Sequence, residues 1–410
     1  MAAINHGVTT QTTPQTTTST SYADVTGASI ASSNFTAGKK YLLAITYQKT
    51  SSSTSSGSGQ DFTQVLHGTT AFAESEDISG NNPATSYQSG SFLTVWTAVS
   101  GEGIKIQFKA GTAAPTITID QITMFWMNLS DDVTENTHWA YAESATDLSL
   151  TTTLQDGASI TITPGTASHD WLVASYDQID ATSSTVLAQG TINRSGEASS
   201  SLPQFLHQYR GTSYQPTDLL IRVFNLGNAS NTLKAQHASI TSNANTRLHS
   251  SIFILDLNKF AAHANAYTEA DTALGTGSFG TLLQTASITP TVTSDVWAGA
   301  YWGFDIGATG RLANFRMQMD SADTPATQTS DNLSQYGSSG DATTESTQFI
   351  TDLVASVSAA AHTFDLDANA DLTTGAPAGQ EATLWAVTME LAAAVSEVEL
   401  MASRAIFALG

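Results

Sequence analysis

The chain has 410 residues, a formal net charge of −22 and no cysteine, so a disulfide framework, a thiolate metal centre and a cysteine nucleophile are excluded. Only 12% of its residues are charged, about half the usual share, and its fourteen Lys and Arg are scattered. Nucleic-acid binding needs clustered positive charge and is not expected.

Residues 8–21 read Val-Thr-Thr-Gln-Thr-Thr-Pro-Gln-Thr-Thr-Thr-Ser-Thr-Ser, with almost nothing to bury. Residues 1–21 are therefore expected to form an extended arm outside the first folded unit. No basic start followed by an apolar core marks a leader, and no run approaches the ~20 apolar residues that span a bilayer, so membrane insertion is not expected.

One β-rich pattern then recurs three times with a period of roughly 125–135 residues. An apolar strand reads Tyr41-Leu-Leu-Ala-Ile-Thr-Tyr47, then Trp171-Leu-Val-Ala-Ser-Tyr-Asp177, then Val296-Trp-Ala-Gly-Ala-Tyr-Trp302. A second is Phe92-Leu-Thr-Val-Trp96, Leu219-Leu-Ile-Arg-Val-Phe224 and Phe349-Ile-Thr-Asp-Leu-Val354. A closing strand is Ile122-Thr-Met-Phe-Trp-Met-Asn-Leu129, Ser250-Ser-Ile-Phe-Ile-Leu-Asp-Leu257 and Leu384-Trp-Ala-Val-Thr-Met-Glu-Leu391. Alternation such as Ile160 and Ile162 with Thr161 between them marks half-buried strands, whereas the continuous apolar runs read as central strands buried on both faces. Between the strands lie polar excursions, 49–61 and 74–91, then 180–217, then 305–346.

The expected fold is all-β: three tandem antiparallel β-sandwich, jelly-roll-like domains over 22–130, 131–260 and 261–392, preceded by the arm. Residues 393–410 form a short C-terminal docking segment, in which Val398, Met401, Ala405 and Leu409 fall on one helical stripe. The pattern leaves open whether the repeats close as a ring or stack as a row.

Chemical signals are few. Gly275-Thr-Gly277-Ser-Phe-Gly280 matches a dinucleotide-binding spacing, but an alternating strand follows where that motif needs a helix. In His362-Thr-Phe-Asp365-Leu-Asp367-Ala-Asn369-Ala-Asp371, oxygen ligands at alternate positions point to calcium. Ala370 and Ala376 then stand where that loop needs glycine and glutamate, and the same alternation in Lys105, Gln107 and Lys109 reads as one solvated strand face. No His spacing suits zinc, no serine elbow is present, and no cofactor is expected. Carboxylates for glycoside hydrolysis would come from Glu74, Glu76 and Asp77, or from Asp320 and Asp323.

Most tryptophans fall in strands and read as core. Trp139, Tyr141, Tyr301 and Trp302 are the candidates for exposed aromatic platforms or interface anchors, and Tyr87, Tyr209, Tyr214 and Tyr336 for recognition at loop tips.

Three tandem jelly-roll-like units, a Thr-rich arm, no leader and no cysteine together resemble the virion proteins of tailed bacteriophages: capsid decoration proteins, head spikes or fibres, and tail-attachment proteins. The resemblance is one of style and brings no site residues with it. It implies a non-enzymatic structural protein made in the host cytoplasm and resident in the virion, assembling with the major capsid protein or with copies of itself. A capsid-surface decoration or spike protein is the preferred form. The alternative is a glycan-binding adhesin or tail-associated host-attachment protein that grips host surface glycan with residues 74–91, 203–217 and 331–346.

Overall fold

The computed structural model describes residues 3–52, 61–75, 77–79, 88–111, 114–165, 168–181, 186–195, 205–209, 217–239, 245–268, 272–276, 279–305, 312–324, 334–336, 345–370 and 378–392. Among them the chain is all-β, with helical backbone limited to single turns such as Ser32–Asn34 and Leu257–Lys259.

The first unit contains β1 (His6–Gln11), β2 (Gln15–Thr17), β3 (Ala23–Ile30), β4 (Lys40–Ser51), β5 (Asp61–His67), β6 (Thr70–Ala71), β7 (Asp77–Ser79), β8 (Gln88–Thr97), β9 (Ile104–Ala110) and β10 (Ile117–Asn128). The second contains β11 (Trp139–Ser144), β12 (Leu148–Leu150), β13 (Gln155–Ile162), β14 (His169–Ala181), β15 (Val186–Arg194), β16 (Phe205–Tyr209), β17 (Thr217–Leu226), β18 (Asn231–Ser239) and β19 (Asn245–Asp256). The third contains β20 (His263–Thr268), β21 (Thr272–Ala273), β22 (Thr281–Ile288), β23 (Ser294–Asp305), β24 (Leu312–Met319), β25 (Ala322–Asp323), β26 (Ser334–Tyr336), β27 (Glu345–Val357), β28 (His362–Ala370) and β29 (Ala378–Thr388).

Each unit folds into two antiparallel sheets with the same strand order. The inner sheets run β1-β10-β4-β8, β11-β19-β14-β17 and β20-β29-β23-β27; the outer sheets run β3-β9-β5-β6, β13-β18-β15-β16 and β22-β28-β24-β25. With short strands counted as extensions of their neighbours, both orders are those of an eight-stranded jelly roll, first-eighth-third-sixth and second-seventh-fourth-fifth. The three sequence motifs that recur are the eighth, third and sixth strands, which lie side by side in every inner sheet.

Two expectations are corrected. Residues 1–21 do not form an arm outside the first unit: β1 and β2 pair with β10 and supply the first strand of its inner sheet. Pairing satisfies the backbone of this Thr-rich segment, while its side chains stay half-buried or exposed apart from the buried Gln11, and Ile4 is its described apolar anchor in the core. The polar excursions also hide strands, notably β15 and β24. These lie in outer sheets with one solvated face, so they lack the continuous apolar run of an inner strand. Residues 393–410, with the stripe of Val398, Met401, Ala405 and Leu409, lie outside the described residues.

Inner strands place alternate residues in two different cores. In the third unit Val296, Ala298, Ala300 and Trp302 pack with Phe315, Met317, Phe364 and Leu366 of the outer sheet. Trp297, Tyr301, Phe349 and Trp385, pointing the other way, join a core shared with the first and second units. Phe125 of the first unit stacks on Trp297 with centroids 4.8 Å apart and planes 2° from parallel.

The shared core closes a ring. Strand β8 lies against β14 and β19, β17 against β20 and β29, and β27 against β1, β4 and β10. The sixth strand of each unit thus packs on the inner sheet of the next, and this head-to-tail contact closes after three steps. Strands β8, β17 and β27 also touch one another, which puts them around the pseudo-threefold axis.

At one register position of the shared core, a large ring on the eighth strand faces a small residue on the third: Phe125 opposite Ala44, Phe253 opposite Ala174, and Trp385 opposite Gly299. A Cβ at Gly299 would lie 2.2 Å from the Trp385 ring. Gly299→Ala is expected to lower stability by about 1–3 kcal/mol through overpacking. Adding Trp385→Phe recreates the Ala/Phe pair of the other two units and is expected to restore most of the loss, as read by chemical denaturation.

Candidate functional site

The surfaces that unite the three units form the best-defined site, and equivalent positions build it each time. The first residue of each unit's first strand is His6, Trp139 or His263; the residue just before each third-strand motif is Lys40, Asp170 or Asp295. These meet across all three seams. His6 Nε2 lies 3.1 Å from Asp295 Oδ2, His263 Nε2 lies 3.6 Å from Asp170 Oδ2, and Lys40 Nζ sits 5.5 Å from the centre of the Trp139 ring. Two seams use a His–Asp pair and the third a cation–π contact. Asn265 Nδ2 donates to Asp170 over 2.9 Å, and the Ile4 amide donates to the Met389 carbonyl over 2.9 Å. Near the axis, Thr383 Oγ1 donates to the Ile221 carbonyl over 2.9 Å, and the Arg222 guanidinium lies 4.9 Å from the centre of the Tyr267 ring.

The aromatic candidates distribute unevenly. Trp139, Tyr301 and Trp302 are not exposed platforms, since each is at most 1% exposed. Trp139 donates from Nε1 to the Leu129 carbonyl over 2.8 Å and so seals the seam between the first two units. Tyr301 donates to Glu381 Oε1 over 2.7 Å, and Trp302 packs edge-on to Phe315 within its own sandwich. Tyr301 and Trp302 are buried because β23 is a central strand covered on both faces, whereas Trp139, at the start of the edge strand β11, is buried by the neighbouring unit. Tyr141 is half-buried, with its hydroxyl 3.2 Å from Thr94 Oγ1 across a seam. Tyr87 and Tyr214 lie outside the described residues. Tyr209 and Tyr336 end strands β16 and β26, and their side chains lie outside the described set.

The acidic segment is a solvated strand face. Asp365 and Asp367 alternate on β28 with buried Phe364, Leu366 and Ala368. Arg316 Nη2 lies 3.2 Å from Asp367, and its Nη1 lies 3.5 Å from Asp323. Arg316 thus supplies the positive charge that a calcium ion would bring. Asn369 accepts from Asn314 Nδ2 over 2.9 Å, and Asp371 lies outside the described residues. Burial pushes the Asp367 carboxyl above its ordinary value, partly countered by Arg316. Among the described residues no group of three or more His, Asp or Glu side chains is placed to hold a metal ion. The Gly275 turn leads into strand β22, with the Gly275 amide donating to Thr281 Oγ1.

Sequence reasoning missed a buried polar cluster inside the second sandwich. Asp177 Oδ2 lies 3.2 Å from His237 Nε2, and both side chains are almost wholly buried. Ser175 and Ser250 also bond to the carboxylate. The matching positions hold Tyr47 and Phe108 in the first unit and Trp302 and Ala368 in the third. One unit has therefore placed a carboxylate and an imidazole where the other two hold aromatic or apolar side chains. Burial pushes the Asp177 carboxyl up, but His237 and the two hydroxyls outweigh it and hold it below the ordinary value. Only Asp177, the last residue of the second strand motif, hinted at this in the sequence, because its counterparts are Tyr47 and Trp302.

No protein-family model matches the chain, and no curated protein sequence matches it. Among solved structures it is similar to the triple jelly roll protein of an archaeal virus turret, with 11% identity over 93% of this chain and 92% of that one and a TM-score of 0.20. A protein of infectious bursal disease virus aligns over 99% of this chain and 88% of its own with 8% identity and a TM-score of 0.23. The insecticidal delta-endotoxin Cry8Ea1 of Bacillus thuringiensis aligns over 55% of each chain with 13% identity and a TM-score of 0.22.

Removing one member of a buried pair strands the other, so Asp177→Ala is expected to cost about 3–5 kcal/mol. A carboxyl held low in the folded state stabilises above its unfolded value, about 3.9, and that contribution is lost as pH falls through the lower folded value. Wild-type stability should therefore drop more steeply below about pH 4 than that of Asp177→Asn, as read by denaturant titration across that range.

Proposed function

We propose that this chain is a structural protein of a virion, most simply a surface component of a tailed-bacteriophage capsid. The observation that carries the reading is the closed ring of three jelly rolls within one polypeptide. Such a block has pseudo-threefold symmetry built in and matches a threefold or quasi-sixfold position on a shell. Its inner sheets are consumed by the ring, leaving outer sheets and loops to meet the major capsid protein or further copies of the same chain. Those outer sheets carry short polar bridges, such as Lys105 to Asp24 and Lys234 to Asp156, set among few charges overall. Contacts on such a surface strip water from few ions.

A second, attachment-type reading is favoured by topology. The ranges 74–91, 203–217 and 331–346 each take in a fifth strand (β7, β16 or β26) and the start of a sixth, and the sixth strands surround the axis, an arrangement that suits multivalent binding of host surface glycan.

The test is the copy number of this protein in purified particles relative to the major coat protein. Hundreds of copies are expected for a shell-covering block, whereas a few to a few dozen would place it at a spike or tail. Absence from particles would overturn the virion reading.

A further inference from the structure

At one end of the third sandwich, two turns far apart in sequence bring a serine, a histidine and an aspartate into line. Ser358 Oγ lies 3.0 Å from His362 Nε2, and His362 Nδ1 lies 2.6 Å from Asp320 Oδ2. The other Asp320 oxygen accepts from the Thr363 amide over 2.9 Å, which fixes the carboxylate. That amide first, and His362 after it, hold the Asp320 carboxyl below its ordinary value. The backbone is strained on both sides: Asp320, Ser321 and Ser356 adopt φ of 51°, 71° and 56°, three of the seven non-glycine residues with positive φ among the described set. Strain of this kind persists where surrounding contacts enforce it and clusters at reactive sites.

A corresponding brace in the first unit shows what the histidine and carboxylate do without a serine. There His67 Nδ1 lies 2.7 Å from Glu102 Oε2, at the end of β5 and in the turn before β9. Only in the third unit does a hydroxyl complete the line among the described residues.

We infer that Ser358 is an activated nucleophile that takes acyl groups from small ester substrates, with His362 as its general base and Asp320 orienting the imidazole. Asp320 accepts the Nδ1 proton and leaves Nε2 free to accept from the serine hydroxyl. As Ser358 Oγ attacks the ester carbonyl carbon, its proton passes to Nε2; the carbon–oxygen bond to the alcohol then breaks, and the departing alkoxide takes that proton. Water repeats the sequence on acyl-Ser358, releasing the acid and the free serine. The Ser358 carbonyl, 3.2 Å from Nε2, accepts a hydrogen bond from the transient imidazolium. Residues 358–361 are exposed, so the ester enters from solvent and meets little side-chain selection.

The test treats the intact protein with a fluorophosphonate probe and with p-nitrophenyl acetate, followed by peptide mass spectrometry. Ser358 is expected to be the preferred site of both modifications, with labelling reduced roughly 100-fold or more in His362→Gln. Both variants should remain folded because Ser358 is exposed and the brace is peripheral; circular dichroism of His362→Gln and Ser358→Ala checks this. Labelling of wild-type Ser358 no faster than other exposed serines would overturn the inference, as would full labelling in folded His362→Gln.

Discussion

The whole molecule depends on one sheet in each unit being apolar on both faces. A jelly roll in isolation covers one face of that sheet with its own second sheet and leaves the other to water. Here the second face holds Trp297, Tyr301, Phe349 and Trp385 in one unit, with Phe125 and Phe253 in the others. Exposed together, these would form an apolar patch far larger than a soluble monomer tolerates. Closing the ring buries all three faces in a common core, so assembly of the units is part of folding rather than a later event.

The ring preserves geometry while its chemistry drifts. Large-opposite-small packing is met by Phe with Ala in two units and by Trp with Gly in the third. The seam clasp is a His–Asp pair twice and a lysine on tryptophan once. The sandwich interior holds Tyr47 with Phe108, Asp177 with His237, and Trp302 with Ala368 at matching positions. Total side-chain volume is nearly conserved across the first contact, whereas the other two keep only the position and change the chemistry. That is why the repeats share strand patterns but few identities.

The same economy shapes the surface. Because the seams and sandwich interiors absorb most of the aromatic residues, the outward sheets are left with Ser, Thr, Gln and a few bridged charges. Such a surface suits shallow, repeated contacts with a lattice better than one deep ligand pocket. The Ser358, His362 and Asp320 line stands apart, at the rim of one unit and outside every seam described above.

The amino-acid pattern by itself determined the all-β class and the threefold recurrence of its apolar strands, because continuous apolar runs at a fixed period are best satisfied by repeated, doubly buried central strands. It also showed that the alternating acids of β28 resemble the polar faces of β9 and β18, while the β24–β28 register that sets Arg316 opposite Asp367 came from the structure. It misread the Thr-rich start, because a strand held by backbone pairing to β10 needs no apolar side chains of its own. It left Trp139, Tyr301 and Trp302 as either exposed platforms or interface anchors, because what covers them comes from other strands and other units. Ring against row, the Asp177–His237 pair and the alignment of Ser358 with Asp320 were decided only by the tertiary structure. Each depends on which residues, distant along the chain, arrive on facing strands and turns, and local periodicity carries no record of that.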